Sequence, residues 1–451
     1  MYLYVHIPFC KSKCSYCDFF SVPLADNAGV PDSYIEAVLQ EAAFRKKLHG
    51  IREWSSMYAG GGTPGLLSVG QLKRLFSGLF ALCPPTADAE ITLEVNCADI
   101  AEKNVEGFCP YLEAACEAGV NRISAGIQTF SDRSLHAVGR RSCAAQVKGA
   151  LENLKRWREK GNASFVASDS ACVKSRSAKR EKGRLLLNMR RFSCDLIAGL
   201  PFLSTDDFCA GVRELIRHNP DHISLYALMC EEGTPLERQI AAGLIEYSSD
   251  LSDEQWLLGR NMLEKAGYRQ YEVSNFAKAG FESAHNCAYW RMKDYIGLGA
   301  AAVGTVGDIR YTGTRDIKAY TDFWTDSKKH SAIRCTGSTC ACGAYTDTNA
   351  AALADCTEKL CVPESISATE YISKDDAITE FLMMGFRMLQ GISAAEFKKR
   401  FGCNLLSFIE PVFSRWQKRG LAETDGETYR LTKEGILFLN EFLTEIVSAI
   451  F

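Results

Sequence analysis

The chain has 451 residues, 47% hydrophobic and 24% charged, the balance of an ordinary globular protein with a large core. A formal charge of −3 argues against nucleic acid as the main partner, and no segment is apolar for long enough to span a membrane. The opening Met1-Tyr2-Leu3-Tyr4-Val5-His6-Ile7-Pro8 lacks the basic flank and apolar run of a signal peptide, so the expected setting is cytoplasmic. There, 19 cysteines mean reduced thiols and metal ligation, not a disulfide framework.

Short apolar runs at 2–7, 57–59, 91–95, 122–127, 194–197 and 222–228 alternate with segments of helical spacing. This is the pattern of repeated βα units and predicts an α/β fold with a parallel sheet, a partial (βα)6 barrel. In parallel barrels functional groups gather at the carboxyl ends of the strands. Directly after the first run come Cys10, Cys14 and Cys17, in Cys-Lys-Ser-Lys-Cys-Ser-Tyr-Cys. Three close thiolates under-ligate a cubane cluster, which takes four, and leave one iron open to a ligand. Zinc is the competing reading, but a structural zinc site wants a fourth ligand, and the next candidates are His49 and Cys83.

The Cys-x3-Cys-x2-Cys spacing, with Tyr16 before the last cysteine, resembles the radical S-adenosyl-L-methionine (SAM) superfamily. That resemblance implies a 4Fe-4S cluster on Cys10, Cys14 and Cys17, with the amino and carboxylate groups of SAM on the open iron. It further implies that one electron from the cluster cleaves SAM to a 5′-deoxyadenosyl radical, the protein supplying position and exclusion of water.

After the second run stands Gly60-Gly61-Gly62-Thr63-Pro64, where missing side chains let a ligand approach the backbone. Glu94, Gln128, Arg140 and Asp195 are polar groups at or just past the ends of later runs, where single polar residues are more often caps or surface ion pairs. Their joint order is more informative. Leu-Tyr-Val-His-Ile-Pro-Phe-Cys, Gly-Gly-Gly-Thr-Pro, Arg-Ile-Ser-Ala-Gly-Ile-Gln-Thr-Phe and Asp-Leu-Ile-Ala-Gly-Leu-Pro resemble the branch holding oxygen-independent coproporphyrinogen III dehydrogenase and the HemW-type haem chaperones. By that resemblance Tyr4, Gly61, Gly62, Thr63, Glu94, Gln128, Arg140 and Asp195 line SAM sites. Phe19, where the dehydrogenase pattern has a further cysteine, and the nine residues before Cys10 favour the chaperone.

Further along, His285-Asn286-Cys287-Ala288-Tyr289-Trp290 resembles a chaperone motif that implies His285 as a haem ligand. A histidine hydrogen-bonded locally beside core aromatics is the competing reading. Ala300-Ala301-Ala302 replaces a segment that carries a histidine in the family pattern, and Cys97 stands where a proline is usual. Two segments read as insertions. Residues 162–189, with Lys174, Arg176, Lys179, Arg180, Lys182 and Arg184, read as a solvated loop. Residues 331–367 hold Cys335, Cys340, Cys342, Cys356 and Cys361 at spacings that match no zinc or ferredoxin pattern.

Near the end, 377–389 and 404–419 read as helices, followed by a hairpin over 420–431 and a last helix, an order that resembles a winged helix. The expected parts are a radical SAM core over 1–235, an extension over 236–330, the cysteine-containing insertion and a mostly helical winged-helix-like domain over 368–451. The expected function is a haem chaperone that binds 4Fe-4S, SAM and haem and delivers haem to apo-haemoproteins, with a reductant protein as partner. A homodimer is left open, and no catalytic residue is assigned. The alternative is an oxygen-independent coproporphyrinogen III oxidase.

Overall fold

The computed structural model of the protein describes residues 1–105, 108–169, 189–326 and 362–450. All six expected strands form: β1 (Tyr2–Ile7), β2 (Trp54–Gly61), β3 (Pro85–Asn96), β4 (Arg122–Gln128), β5 (Arg191–Ala198) and β6 (His222–Ala227). Several outrun the apolar stretches that announce them, because one strand face carries polar residues such as Ser56 and Glu94. Residues 162–169, read as the start of a loop, instead continue the helix Ala144–Asp169. The basic residues Lys174 to Arg184 and the cysteines Cys335 to Cys361 lie outside the described residues.

The chain forms two compact units. The first comprises 1–192, 229–247 and 294–371. Within it β1–β2, β2–β3 and β3–β4 pair in parallel. The other edge of β1 takes Tyr295–Leu298, also parallel, and Val303–Val306, Ile309–Gly313 and Ser367–Tyr371 follow antiparallel.

Strand alternation sorts the residues of this sheet. The register sets Tyr4 against Tyr58, His6 against Gly60, Tyr58 against Thr92 and Asn96 against Gly126. With a period of two, Tyr4, His6, Tyr58, Gly60, Glu94, Gly126 and Gln128 therefore share one face. Leu3, Val5, Ile7, Met57, Ala59, Leu93, Val95, Ile123, Ala125 and Ile127 take the opposite face and are all buried. Each of the larger of these side chains contributes roughly 1.5–3 kcal/mol, which fixes the register and so the polar face.

A buried polar network ties β1 to its neighbours. Glu41 and Arg45, on the helix Asp32–His49, pair at 3.1 Å, and both are almost fully buried. The second Glu41 oxygen accepts from Tyr320 Oη at 2.7 Å and from the Gly299 N–H at 3.0 Å. The Tyr34 hydroxyl donates to the His6 carbonyl at 2.9 Å and accepts the Ala300 N–H at 3.0 Å. Removing one member of a buried pair strands the other charge. Glu41→Ala is therefore expected to lower stability by about 3 kcal/mol, read from urea unfolding.

At the end of the same helix, burial, with Arg45 adding to it, lowers the His49 pKa from the ordinary 6.5 to about 4. The unfolded chain thus takes this proton first as pH falls, so stability declines from about pH 6.5 towards pH 4. Urea unfolding of His49→Gln is expected to show a shallower decline over that window.

The second unit comprises 193–228, 248–293 and 372–451. In it β5 and β6 pair in parallel, with Asp195 opposite Ser224, and Asn275–Ala277 joins β6 antiparallel. Towards the chain end, Thr428–Leu431 lies between Ile392–Ser393 and Ala422–Thr424 in a small antiparallel sheet. Phe386, Phe397, Phe413, Trp416 and Phe442 fill the adjoining core. The helix expected over 404–419 is two, Leu406–Ile409 and Val412–Lys418, because Pro411 between them has no N–H to continue the ladder. The helix expected over 377–389 runs instead as Lys374–Gly385, capped by Ser373. The hairpin and the last helix form as expected.

Candidate cofactor site

The three thiols hang on a loop closed by backbone hydrogen bonds. Phe9–Cys10 pairs with Val22–Pro23, the Val22 N–H donates to Pro8 O at 2.8 Å, and the Leu24 N–H donates to Cys10 O at 2.8 Å. Inside the loop the Ser15 N–H donates to Val138 O at 3.0 Å, and Ser15 O accepts the Leu236 N–H at 2.9 Å. Cys10, Cys14 and Cys17 are half-buried and in no disulfide.

The glycine run builds the floor of this loop. The Gly62 N–H donates to Ile7 O at 2.9 Å and the Thr63 N–H to Phe9 O at 2.8 Å, which brings the Thr63 hydroxyl 3.4 Å from Cys10 Sγ. A methyl group on Gly60 would sit 2.8 Å from a Glu94 oxygen, and one on Gly62 would sit 2.7 Å from the backbone of Ile7 and Phe9. Gly61 has φ +104°, and its methyl would meet the His6 ring at 2.2 Å. The space left by the missing side chains is thus filled by the protein itself. Gly61→Ala is expected to lower stability by about 2 kcal/mol in urea unfolding. Gly70→Ala, with nothing nearer than 3.9 Å, is expected to leave stability unchanged or slightly raised.

Above this floor lies the polar face of the sheet. Glu94 accepts from Tyr58 Oη at 2.5 Å and from the Gly61 N–H at 3.1 Å. Burial, helped by the nearby Glu94 charge, pushes the Tyr4 phenol well above its ordinary range, so Tyr4 stays neutral. Gln128 ends β4 with φ 64°, a left-handed conformation that costs a non-glycine residue about 1 kcal/mol or more.

Arg140 donates to Gly126 O, and its second terminal nitrogen lies 3.7 Å from Cys14 Sγ. Its buried Nε has no hydrogen-bond partner among the described residues. Burial works against the Arg140 charge, but Tyr16, Cys14 and Cys97 hold its pKa above the ordinary value. At the rim, Lys11 binds Glu102 at 2.5 Å, which anchors the loop to the helix Cys97–Glu102, and Arg141 binds Glu102 at 2.9 Å and the buried Asp99 at 3.0 Å.

Burial pushes the Cys17 thiol up, and Cys14 and Cys10 push it the same way. Among the described residues no three His, Cys, Asp or Glu side chains gather as ligands of a single ion would. A cubane spreads its thiolates over separate irons, so it needs thiols facing one volume rather than converging on a point. The loop supplies three half-buried thiols, with Cys14 and Cys10 near enough to act on Cys17 and a guanidinium beside Cys14 to offset thiolate charge, a donor set of the kind such a cluster takes.

Of the residues named from sequence, Tyr4, Gly61, Gly62, Thr63, Glu94, Gln128, Arg140 and the three cysteines belong to the first unit. Asp195 and His285 belong to the second. Asp195 is a half-buried residue within β5. His285 is only 1% exposed, its Nε2 lies 3.1 Å from Tyr289 Oη, and the two rings meet edge-on at 4.8 Å. Sequence reading passed over His6 and Tyr58, although the period of two along β1 and β2 sets both on the face of Tyr4.

The family model of the Radical SAM superfamily matches residues 4–163, and that of the HemN C-terminal domain matches 372–438. The heme chaperone HemW of Escherichia coli (strain K12) is 31% identical over 98% of this chain and 96% of its own length. The chain belongs to the HemW family. That of Lactococcus lactis is 27% identical over 96% of this chain and 93% of its own. A mouse protein, radical S-adenosyl methionine domain-containing protein 1, mitochondrial, is 34% identical over 67% of this chain and 60% of its own. The solved structure of coproporphyrinogen III oxidase (HemN) from E. coli shares the fold, with a TM-score of 0.69 over 99% of this chain and 89% of that one, at 19% identity. Radical SAM membership implies a 4Fe-4S cluster and SAM, and no helix among the described residues is long and apolar enough to cross a membrane.

Proposed function

We propose that this protein is a haem chaperone that binds haem and passes it to apo-haemoproteins, with a 4Fe-4S cluster on Cys10, Cys14 and Cys17 and SAM beside it. The observation that carries the reading is similarity along nearly the whole chain to proteins named as heme chaperones. When bound, the cluster supplies one electron to the sulfonium of SAM.

The chain's own residues hold and orient. Thr63 donates towards the Cys10 sulfur and Arg140 towards that of Cys14, so both offset thiolate charge. The buried Nε–H of Arg140, without a partner among the described residues, is left as a donor for a ligand's anionic group. Tyr4, Glu94 and Gln128, on one sheet face, with Gly61, Gly62 and Thr63 at the end of β2, form the proposed SAM wall. On motif resemblance alone we add Asp195 to the SAM residues and His285 to the haem ligands. To bind iron through Nε2, the His285 ring must give up Tyr289.

The test is an anaerobic haem titration of the cluster-loaded protein followed in the Soret region, then transfer to an apo-haemoprotein. Saturable binding followed by transfer is expected, with weaker binding in His285→Ala. No haem binding, together with protoporphyrinogen formed from coproporphyrinogen III, SAM and reductant, would replace the chaperone by the oxidase.

A further inference from the structure

His6 lies on the polar sheet face, two residues from Tyr4, and carries none of the roles assigned above. Its Nε2 is 2.9 Å from the Phe20 carbonyl oxygen and its Nδ1 is 2.9 Å from Tyr4 Oη. A carbonyl only accepts, so Nε2 must carry the hydrogen. Burial lowers the His6 pKa, which keeps the ring neutral, so Nδ1 is a bare acceptor.

The Tyr4 hydroxyl must then donate its one hydrogen to His6, and only the lone pairs of its oxygen remain. No other hydrogen bond of that hydroxyl is present among the described residues. The Tyr4 and Tyr58 rings lie nearly parallel, 6.3 Å apart, and the Tyr58 hydroxyl is itself spent on Glu94. Tyr4 Oη and the Glu94 carboxylate are therefore two acceptors on one face. Gly61 has no side chain because the His6 ring occupies that space.

We propose that His6 is a positioning residue that fixes the Tyr4 hydroxyl as a hydrogen-bond acceptor, so that this wall selects a ligand presenting a donor, such as the N–H of an amino group. The inference deepens the SAM reading above and depends on it. It also gives the three-residue pattern Tyr4-Val5-His6 a chemical reason: alternation sets both rings on one face, and the Phe20 carbonyl, inside the thiol loop just after Cys17, dictates the tautomer.

The test is SAM binding to the cluster-loaded full chain by anaerobic equilibrium dialysis, with iron and sulfide measured for each variant. Gln places its amide at the height of Nε2, keeps the Phe20 bond and frees the Tyr4 hydrogen. Asn places its carbonyl at the height of Nδ1 and keeps Tyr4 donating. Tyr4→Phe and His6→Gln are each expected to weaken SAM binding about tenfold, the size of one hydrogen bond. The double variant should be no weaker than either single one, and His6→Asn should stay near wild type. Equal losses in His6→Gln and His6→Asn, additive losses in the double variant, or unchanged binding in Tyr4→Phe would overturn the proposal. Failure of the wild-type, cluster-loaded protein to bind SAM would instead overturn the reading beneath it.

Discussion

The parallel pairing of β1 with β2 is the constraint on which the site depends. It sets His6 against Gly60 and Ile7 against Gly61, and it continues past the strand ends as the bonds from the Gly62 and Thr63 N–H groups to Ile7 and Phe9. A slip of one residue would turn Leu3 and Val5 onto the polar face and Tyr4 and His6 into the core. The glycines permit the approach, since a methyl group at any of the three would collide with a neighbour. Cys10 follows directly, so the position of the first thiol is fixed by sheet register rather than by the loop that carries it.

The polar face is stable because its groups are paired. Glu94 has two donors, His6 has a donor and an acceptor, and the Glu41–Arg45 pair behind β1 is satisfied by Tyr320 and Gly299. Unpaired, such groups would each cost on the order of 1–3 kcal/mol or more. Strain is retained at the strand ends, where Gln128 and Ala301 adopt φ near +64° without being glycine. Backbone strain of this kind gathers where surrounding structure holds a residue in place for a ligand.

Much of this was legible in the sequence, and the reason is range. The six strands announced themselves through local apolar runs, and the cysteine spacing is local chemistry, so neither needed tertiary information. Tyr295–Leu298 gave no comparable sign that it would lie beside β1, because that contact joins residues far apart in the chain. Pro411 divided a stretch whose apolar periodicity suggested one helix, a case in which the missing N–H outweighs the pattern. The glycine run suggests close approach of a ligand to the backbone, and only the structure shows that the space a side chain would take is occupied by His6, Glu94 and the β1 backbone. His6 was overlooked because a single histidine in an apolar strand looks like packing until its partners are known. His285 shows the opposite difficulty, a motif residue whose ring lies closed against Tyr289.

What unites these features is a three-thiol loop held by a sheet whose polar face carries Tyr4, His6, Tyr58 and Glu94. Mössbauer spectroscopy of the iron-57 reconstituted protein, with and without SAM, tests that account most directly. A cubane cluster in which one iron subsite alone changes on adding SAM is the predicted result. Zinc in place of iron, or a cluster whose irons are all indifferent to SAM, would contradict it.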